Sequence, residues 1–448
     1  MSTPSWGLLG PDMIESERRA RTLGLGAAVR EFNDLAVPGM GGVWFGKQLF
    51  LATLGVVVAD AVRQAGKELK NIPCANAVEA LSCMLAFKQN QWAFDARLSG
   101  RAKLNGKTDL SFANVMKPSF YVTQPMRMTT VQPLPALGLV QATGERFNSF
   151  AASDDGRTFV KIATSGGYAG ASAIDTVLSK LTGWAMGKQG NIESSEQLRA
   201  VLSPHLPLSD ASREFLRDRL QSGSTEVDLR RAAALAWVGE LRKLHGGASI
   251  DDGKRKSMGW AKKPAMLSRE HWKDMHAGAL FFDVRDAAIT LLDRMEALIA
   301  NQPGQRIDTD DEALLAVARP LAELRKRAAA FLALAHDPSP ASMAAAFARE
   351  CTAASNADVF RHIVKRDGKV LQLHDQSIMI EAPFRRTQPP EQDDDTDEER
   401  KDSAGLTNRI GLPKGISRRV SNLFLLNLDL HAELSPWLSA IPTTSGAN

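Results

Sequence analysis

The sequence predicts a mainly α, multi-domain protein with one small α+β unit and one short β-hairpin module. Three observations carry that expectation. Apolar residues recur at helical spacing along most of the chain. Strand-like alternation is confined to short stretches near 146–150 and 360–380. The length, 448 residues, suffices for two to four domains with cores of their own.

Residues 1–120 read as a helical N-terminal domain. Ile14 to Phe32 carries an Arg-rich helical pattern, broken by Gly24 and Gly26 and closed near Pro38-Gly39. Trp44 to Gln64 contains the strongest apolar run, Leu49 to Ala59, flanked by Lys47 and Asp60. It is shorter than the ~20 residues of a membrane span and reads as a buried core helix. Asn76 to Arg97 places Val78, Leu81, Leu85 and Trp92 on one helical face, and Gly100 to Lys107 is a polar turn.

Residues 121–171 form the α+β unit. Gln124-Pro125-Met126 leads an apolar helical run to Leu137-Gly138-Leu139-Val140. A strand surrounds Arg146 to Phe150, and Ser153-Asp154-Asp155-Gly156-Arg157 opens another helix. A helical segment, 172–246, follows, with helices near 171–184, 193–202, 211–221 and 226–244. A Gly-rich basic loop spans 247–264. The helical hairpin or bundle at 265–357 has helices near 268–300, 310–335 and 339–355, the first two parted by Gln302-Pro303-Gly304.

A β-hairpin module is expected at 358–382. Phe360 to Val364 and Lys369 to Leu373 flank Arg366-Asp367-Gly368, where Gly tolerates the positive φ of a tight turn, and Ser377 to Ile380 is a third strand. Residues 383–415 crowd Glu391, Asp393, Asp394, Asp395, Asp397, Glu398 and Glu399 among prolines, the composition of a disordered linker. Residues 416–440 form a C-terminal amphipathic helix, expected to dock on its own domain.

Composition narrows the function. An apolar fraction of 44% and a charged fraction of 24% are those of an ordinary soluble globular chain. With 55 basic against 51 acidic residues the net charge is only +4, so any nucleic-acid contact must come from a local patch. Cys74, Cys83 and Cys351 are spaced as small buried hydrophobes in a reducing compartment. No export segment opens the chain, and a cytoplasmic location without membrane contact is the expectation.

Motifs for chemistry are sparse. Gly41-Gly42-Val43-Trp44-Phe45-Gly46-Lys47-Gln48 nearly matches a phosphate-binding loop. However, Gln48 stands where a magnesium-holding hydroxyl is needed, and bulky residues fill the wrap. Thr164 to Gly170 is Gly-rich without the following Lys-Ser/Thr. His271 and His276, five apart, do not share a helical face, and no close Cys pair exists. No cofactor, metal, catalytic set or small-molecule substrate is expected. Asp358, Asp367 and Lys369 are the nearest approach to the carboxylates and lysine of a metal-dependent nuclease.

Two features point to a binding surface. Lys254, Arg255, Lys256, Lys262 and Lys263 surround Trp260, a pattern that suits phosphates with an indole among them. Residues 124–171 resemble the second half of a winged helix. That resemblance covers about a tenth of the chain and implies a helix in the DNA major groove and a wing on the backbone. It maps these roles onto Arg127, Thr129 and Thr130 at the helix start, and Arg146, Asn148 and Arg157 around the strand and turn. Pro133 and Pro135 depart from the pattern, since proline breaks a helix interior. Winged helices also dock proteins.

The leading expectation is a non-enzymatic accessory or scaffold subunit of a bacterial DNA-handling complex, as in phage defence or mobile elements, with other protein subunits and DNA as partners. The bacterial setting rests on Ala/Arg/Leu-rich character alone. The alternatives are a metal-dependent nuclease or other phosphodiester hydrolase, and a purely structural interaction subunit.

Overall fold

The computed structural model describes residues 21–165, 172–192, 195–245, 258–381 and 410–439. The remaining residues, including Lys254, Arg255, Lys256 and the acidic stretch 383–409, lie outside it. Among the described residues are seventeen α-helices. They are α1 (Gly26–Ala36), α2 (Gly46–Gln64), α3 (Asn71–Gln89), α4 (Arg101–Leu104), α5 (Phe112–Val115), α6 (Pro133–Ala136), α7 (Asp154–Ser165), α8 (Ser172–Ala185) and α9 (Glu196–Leu202). There follow α10 (Asp210–Gln221), α11 (Glu226–His245), α12 (Arg269–Ile299), α13 (Ala318–Ala333), α14 (Met343–Cys351), α15 (Asn356–Asp367), α16 (Arg418–Asp429) and α17 (Leu434–Ser439). Five short strands form two small sheets: β1 (Val140–Ala142) with β2 (Phe150–Ala152), and β3 (Arg306–Asp308), β4 (Leu371–His374) and β5 (Ser377–Ile380) in the order β3-β5-β4. The protein is mainly helical. No helix among the described residues is long and apolar enough to cross a membrane.

The chain divides into two compact units, Met1–Phe32 with Lys273–Asp402, and Asn33–Trp272 with Ser403–Asn448. Both are discontinuous in sequence, whereas the pattern of residues suggests eight consecutive segments.

In the first unit, Phe32, Phe281 and Phe331 form an aromatic core, with Phe32 and Phe281 stacked at 5.0 Å. Helix α15 presents Val359, Phe360, Ile363 and Val364 to the interior, and Ser355 caps its start by accepting from the N–H of Asp358. Phe360 to Val364 is therefore helix, not the strand expected. Three- and four-residue spacing buries one face of a helix more completely than two-residue alternation would, and the apolar run satisfies it. Gly368 (φ 57°) ends this helix in a left-handed cap, the commonest use of a glycine at that place, so Asp367-Gly368 is not a hairpin turn. The hairpin is β4–β5, with Leu371 opposite Ile380 and His374 opposite Ser377. Strand β3 pairs with β5, Ile307 opposite Ile378, and lies where the sequence suggested only a break between helices.

The second unit is built on α2, buried along almost its whole length as a core helix should be. Helix α3 packs against it so closely that a Cβ on Gly55 would lie 2.6 Å from the Cα of Ala75. The start of α2 is satisfied from two directions. Gln48 Oε1 accepts from the N–H of Trp44 at 2.9 Å, and the Asp429 carboxylate accepts from the N–H of Gly46 at 2.8 Å. Helix α16, which carries Asp429, docks on α11 and is fixed by Arg242 to Asn427 and by Ser417 to Asn33.

The 126–165 region contains a 3₁₀ turn over Met126–Thr130, the four-residue α6, β1, a 3₁₀ turn over Phe147–Ser149, β2 and α7. Pro133 sits at the first position of α6, where no N–H is required. Arg146 to Ser149 precede the strand and do not form it. The register pairs Val140 with Ala152 and Ala142 with Phe150.

Candidate nucleic-acid interface

Most side chains expected at a nucleic-acid surface are engaged within the second unit. Arg127 Nε donates to Asn76 at 2.5 Å, its guanidinium lies 5.8 Å from the Phe147 ring, and its N–H donates to Glu79. Thr129 and Thr130 return their hydroxyls to the carbonyls of Met126 and Arg127, and Thr130 is buried. Asn148 accepts from the N–H of Ile72 at 2.9 Å, fixing the ribbon to α3. Arg157 stands 3.5 Å from the buried Asp60. Arg146 is exposed, with no side-chain partner among the described residues.

Trp260 is anchored and not displayed. Its Nε1 donates to the carbonyl of Lys414, its own carbonyl accepts from Trp272 Nε1, and the two rings lie 4.7 Å apart. Lys263 donates to the carbonyls of Pro264 and Leu267, while Lys262 is exposed. Lys254, Arg255 and Lys256 are outside the described residues.

The phosphate-loop look-alike is closed. A Cβ on Gly41 would lie 2.5 Å from the Thr129 carbonyl oxygen, which also accepts from the N–H of Gly42. Lys47 points inward, donating to the carbonyl of Val201 and lying 5.2 Å from the Phe50 ring. Burial pushes its amine down to about 7, partly offset by Asp429.

The nuclease residues do not converge. Asp358 and Asp367 stand near opposite ends of α15, about 13 Å apart at 1.5 Å per residue. Asp358 is occupied by Ser355 and Arg361, and Asp367 accepts from the N–H of Leu371. Lys369 is exposed beyond the helix. His271 is bound to the carbonyl of Ala36. Among the described residues no three His, Cys, Asp or Glu side chains are grouped to hold a metal ion. The three cysteines are buried and free, and burial raises each thiol to about 12.

A different cationic surface emerges between Gly100 and Tyr121. Arg101, Lys103, Lys107 and Lys117 face a single acid there, Asp109. The segment folds back on itself: Gly100 lies against the Tyr121 ring, Lys107 Nζ sits 4.8 Å from the centre of the Phe120 ring, and the N–H of Phe120 donates to the carbonyl of Lys117. Of the four cations, Lys107 is the one seated on a ring. Arg101, Lys103 and Lys117 are exposed, without an ion pair among the described residues. Asp109 is turned to its own backbone, accepting from the N–H of Ser111 at 2.9 Å. Just before this segment Phe94 is 61% exposed, the largest exposure of any aromatic ring among the described residues. Reading 100–107 as a polar turn passed over this surface. The signal was the Arg-x-Lys-x-x-x-Lys spacing downstream of an unshielded Phe.

No known protein family, curated protein or solved structure matches the chain.

Proposed function

We propose that the protein is an accessory subunit that binds single-stranded nucleic acid through the 94–121 surface of the second unit. The observation that carries this reading is the concentration of four cations against one acid between Gly100 and Tyr121, when the whole chain has an excess of only +4. Lys and Arg at such a surface release condensed counterions from phosphates, and an exposed ring such as Phe94 stacks on a base of any sequence. A single strand suits the arrangement better than a duplex, because the ring needs an unpaired base face. The winged-helix reading of 124–171, with its DNA or protein partner, rests on fewer free side chains. Of the arginines mapped to it, Arg146 alone has no side-chain partner among the described residues.

The test is fluorescence anisotropy with a labelled oligonucleotide at several salt concentrations. Wild-type affinity falls with a log–log slope near 3 if all four cations contact phosphate, at about 0.7 per contact. Arg101→Ala/Lys103→Ala/Lys117→Ala reduces the slope by about 2. Equal slopes for the two proteins would refute the assignment, and a preference for duplex would return it to the winged-helix reading.

A further inference from the structure

We infer that the cleft between α13 and α14 in the first unit is a binding site for a small phosphate-type oxyanion. Its volume is about 240 Å³, below the ~300–1,000 Å³ of sites for drug-sized ligands, so a small occupant is indicated. His336, Ser342 and Arg349 line it together with Asp337.

Each side chain has a defined capacity. His336 Nε2 is 2.7 Å from Asp274, whose side chain is only 4% exposed. An ionised carboxylate only accepts, so Nε2 carries the proton and Nδ1 is left without a partner among the described residues. The Arg349 guanidinium likewise makes no ion pair among the described residues and offers a planar pair of donors for oxygen ligands. Ser342 adds a hydroxyl. A phosphate presents both P–O⁻ and P–OH, so Nδ1 accepts from it when neutral and donates to it when protonated.

Asp337 does not oppose this. Its two oxygens accept from the N–H groups of Ser339 and Ala345, at 2.9 and 2.7 Å, and Ser339 accepts from Ala344. The start of α14 is thereby already capped, and the helix terminus is not the recognition element. The backbone adds an independent observation. Ala335, Ala341 and Ser342 hold left-handed φ values of 48°, 51° and 51°. Such conformations cost a non-glycine residue free energy and gather where a site is held in shape.

The inference uses a different unit and different residues from the proposed nucleic-acid surface. It is tested by calorimetric titration of the full chain with inorganic phosphate and, in parallel, with β-glycerophosphate at constant ionic strength. One saturable site is expected, weakened about tenfold or more by Arg349→Gln. Arg101→Ala/Lys103→Ala/Lys117→Ala should leave it unchanged. Arg349 is exposed, so this variant retains the fold, which circular dichroism checks. Equal binding of both probes assigns the free ion, and tighter binding of the ester assigns a phosphorylated small molecule. Absence of saturable binding by either probe overturns the site, as does binding that Arg349→Gln leaves intact.

Discussion

Two buried groups in the second unit make its stability pass through a minimum near neutral pH. Burial lifts the Glu79 carboxyl to about 7 from an ordinary 4.5, against the N–H donors of Met126 and Arg127. The folded state then holds a proton that the unfolded state has lost, so stability falls as pH rises from 4.5 to about 7. At about 1.4 kcal/mol per pH unit that interval is worth about 3 kcal/mol. Lys47 acts oppositely. Its amine is lowered to about 7 from 10.5, so the unfolded state binds the extra proton above neutrality, and stability rises with pH from about 7 toward 10.5. Above 9 the raised thiols of Cys74 and Cys83 pull the other way, which leaves about 3 kcal/mol of clean rise between pH 7 and 9. Urea unfolding followed by tryptophan fluorescence measures both limbs. His205 and His431 (lowered) and Asp429 (raised) also titrate in this unit, so each limb is read as wild type minus variant. Glu79→Gln should flatten the acid limb and Lys47→Met the alkaline one. Each also loses a hydrogen bond, but that offset does not depend on pH. Slopes identical in wild type and both variants would refute the reasoning.

Two further outcomes test the packing. Gly55→Ala places a methyl group against the backbone of Ala75 and should cost about 1–3 kcal/mol, measured as a lower urea midpoint with an unchanged slope. An unaffected midpoint would mean that α2 and α3 are not in such close contact. Gly368→Ala meets no clash, its nearest neighbour being the Lys365 carbonyl at 3.5 Å. The left-handed φ alone should cost about 1 kcal/mol, seen as a reduced melting temperature.

The helices were legible where periodicity was long. The helices read at 268–300 and 226–244 lie within a residue of α12 and α11, because a repeated apolar stripe leaves little choice of structure. The stretch 360–364 was misread because five residues with apolar ends fit a strand and a helical turn alike. The capping Ser355 was the local clue that decided it. The strand Arg306–Asp308 was invisible, since its partner β5 is some seventy residues away and three residues carry no period. Site residues suffered for a related reason. Arg127 and Trp260 have the chemistry of a binding surface, but their partners Asn76 and Lys414 are distant in sequence, and only folding shows that those functions are spent internally. Lys107 meets the Phe120 ring only because the chain folds back to set Gly100 against Tyr121, a contact no local pattern announces.

The bond between the Gly46 N–H and Asp429 closes a loop of 383 residues. During synthesis the N-terminus of α2 emerges 383 residues before the carboxylate that completes it. Until then the ribosome holds a chain whose central helix lacks both this partner and the cover of α16 on α11. A stop codon before residue 418 should therefore destabilise a helix laid down hundreds of residues earlier, and a nascent chain stalled at that point should be a substrate for chaperones.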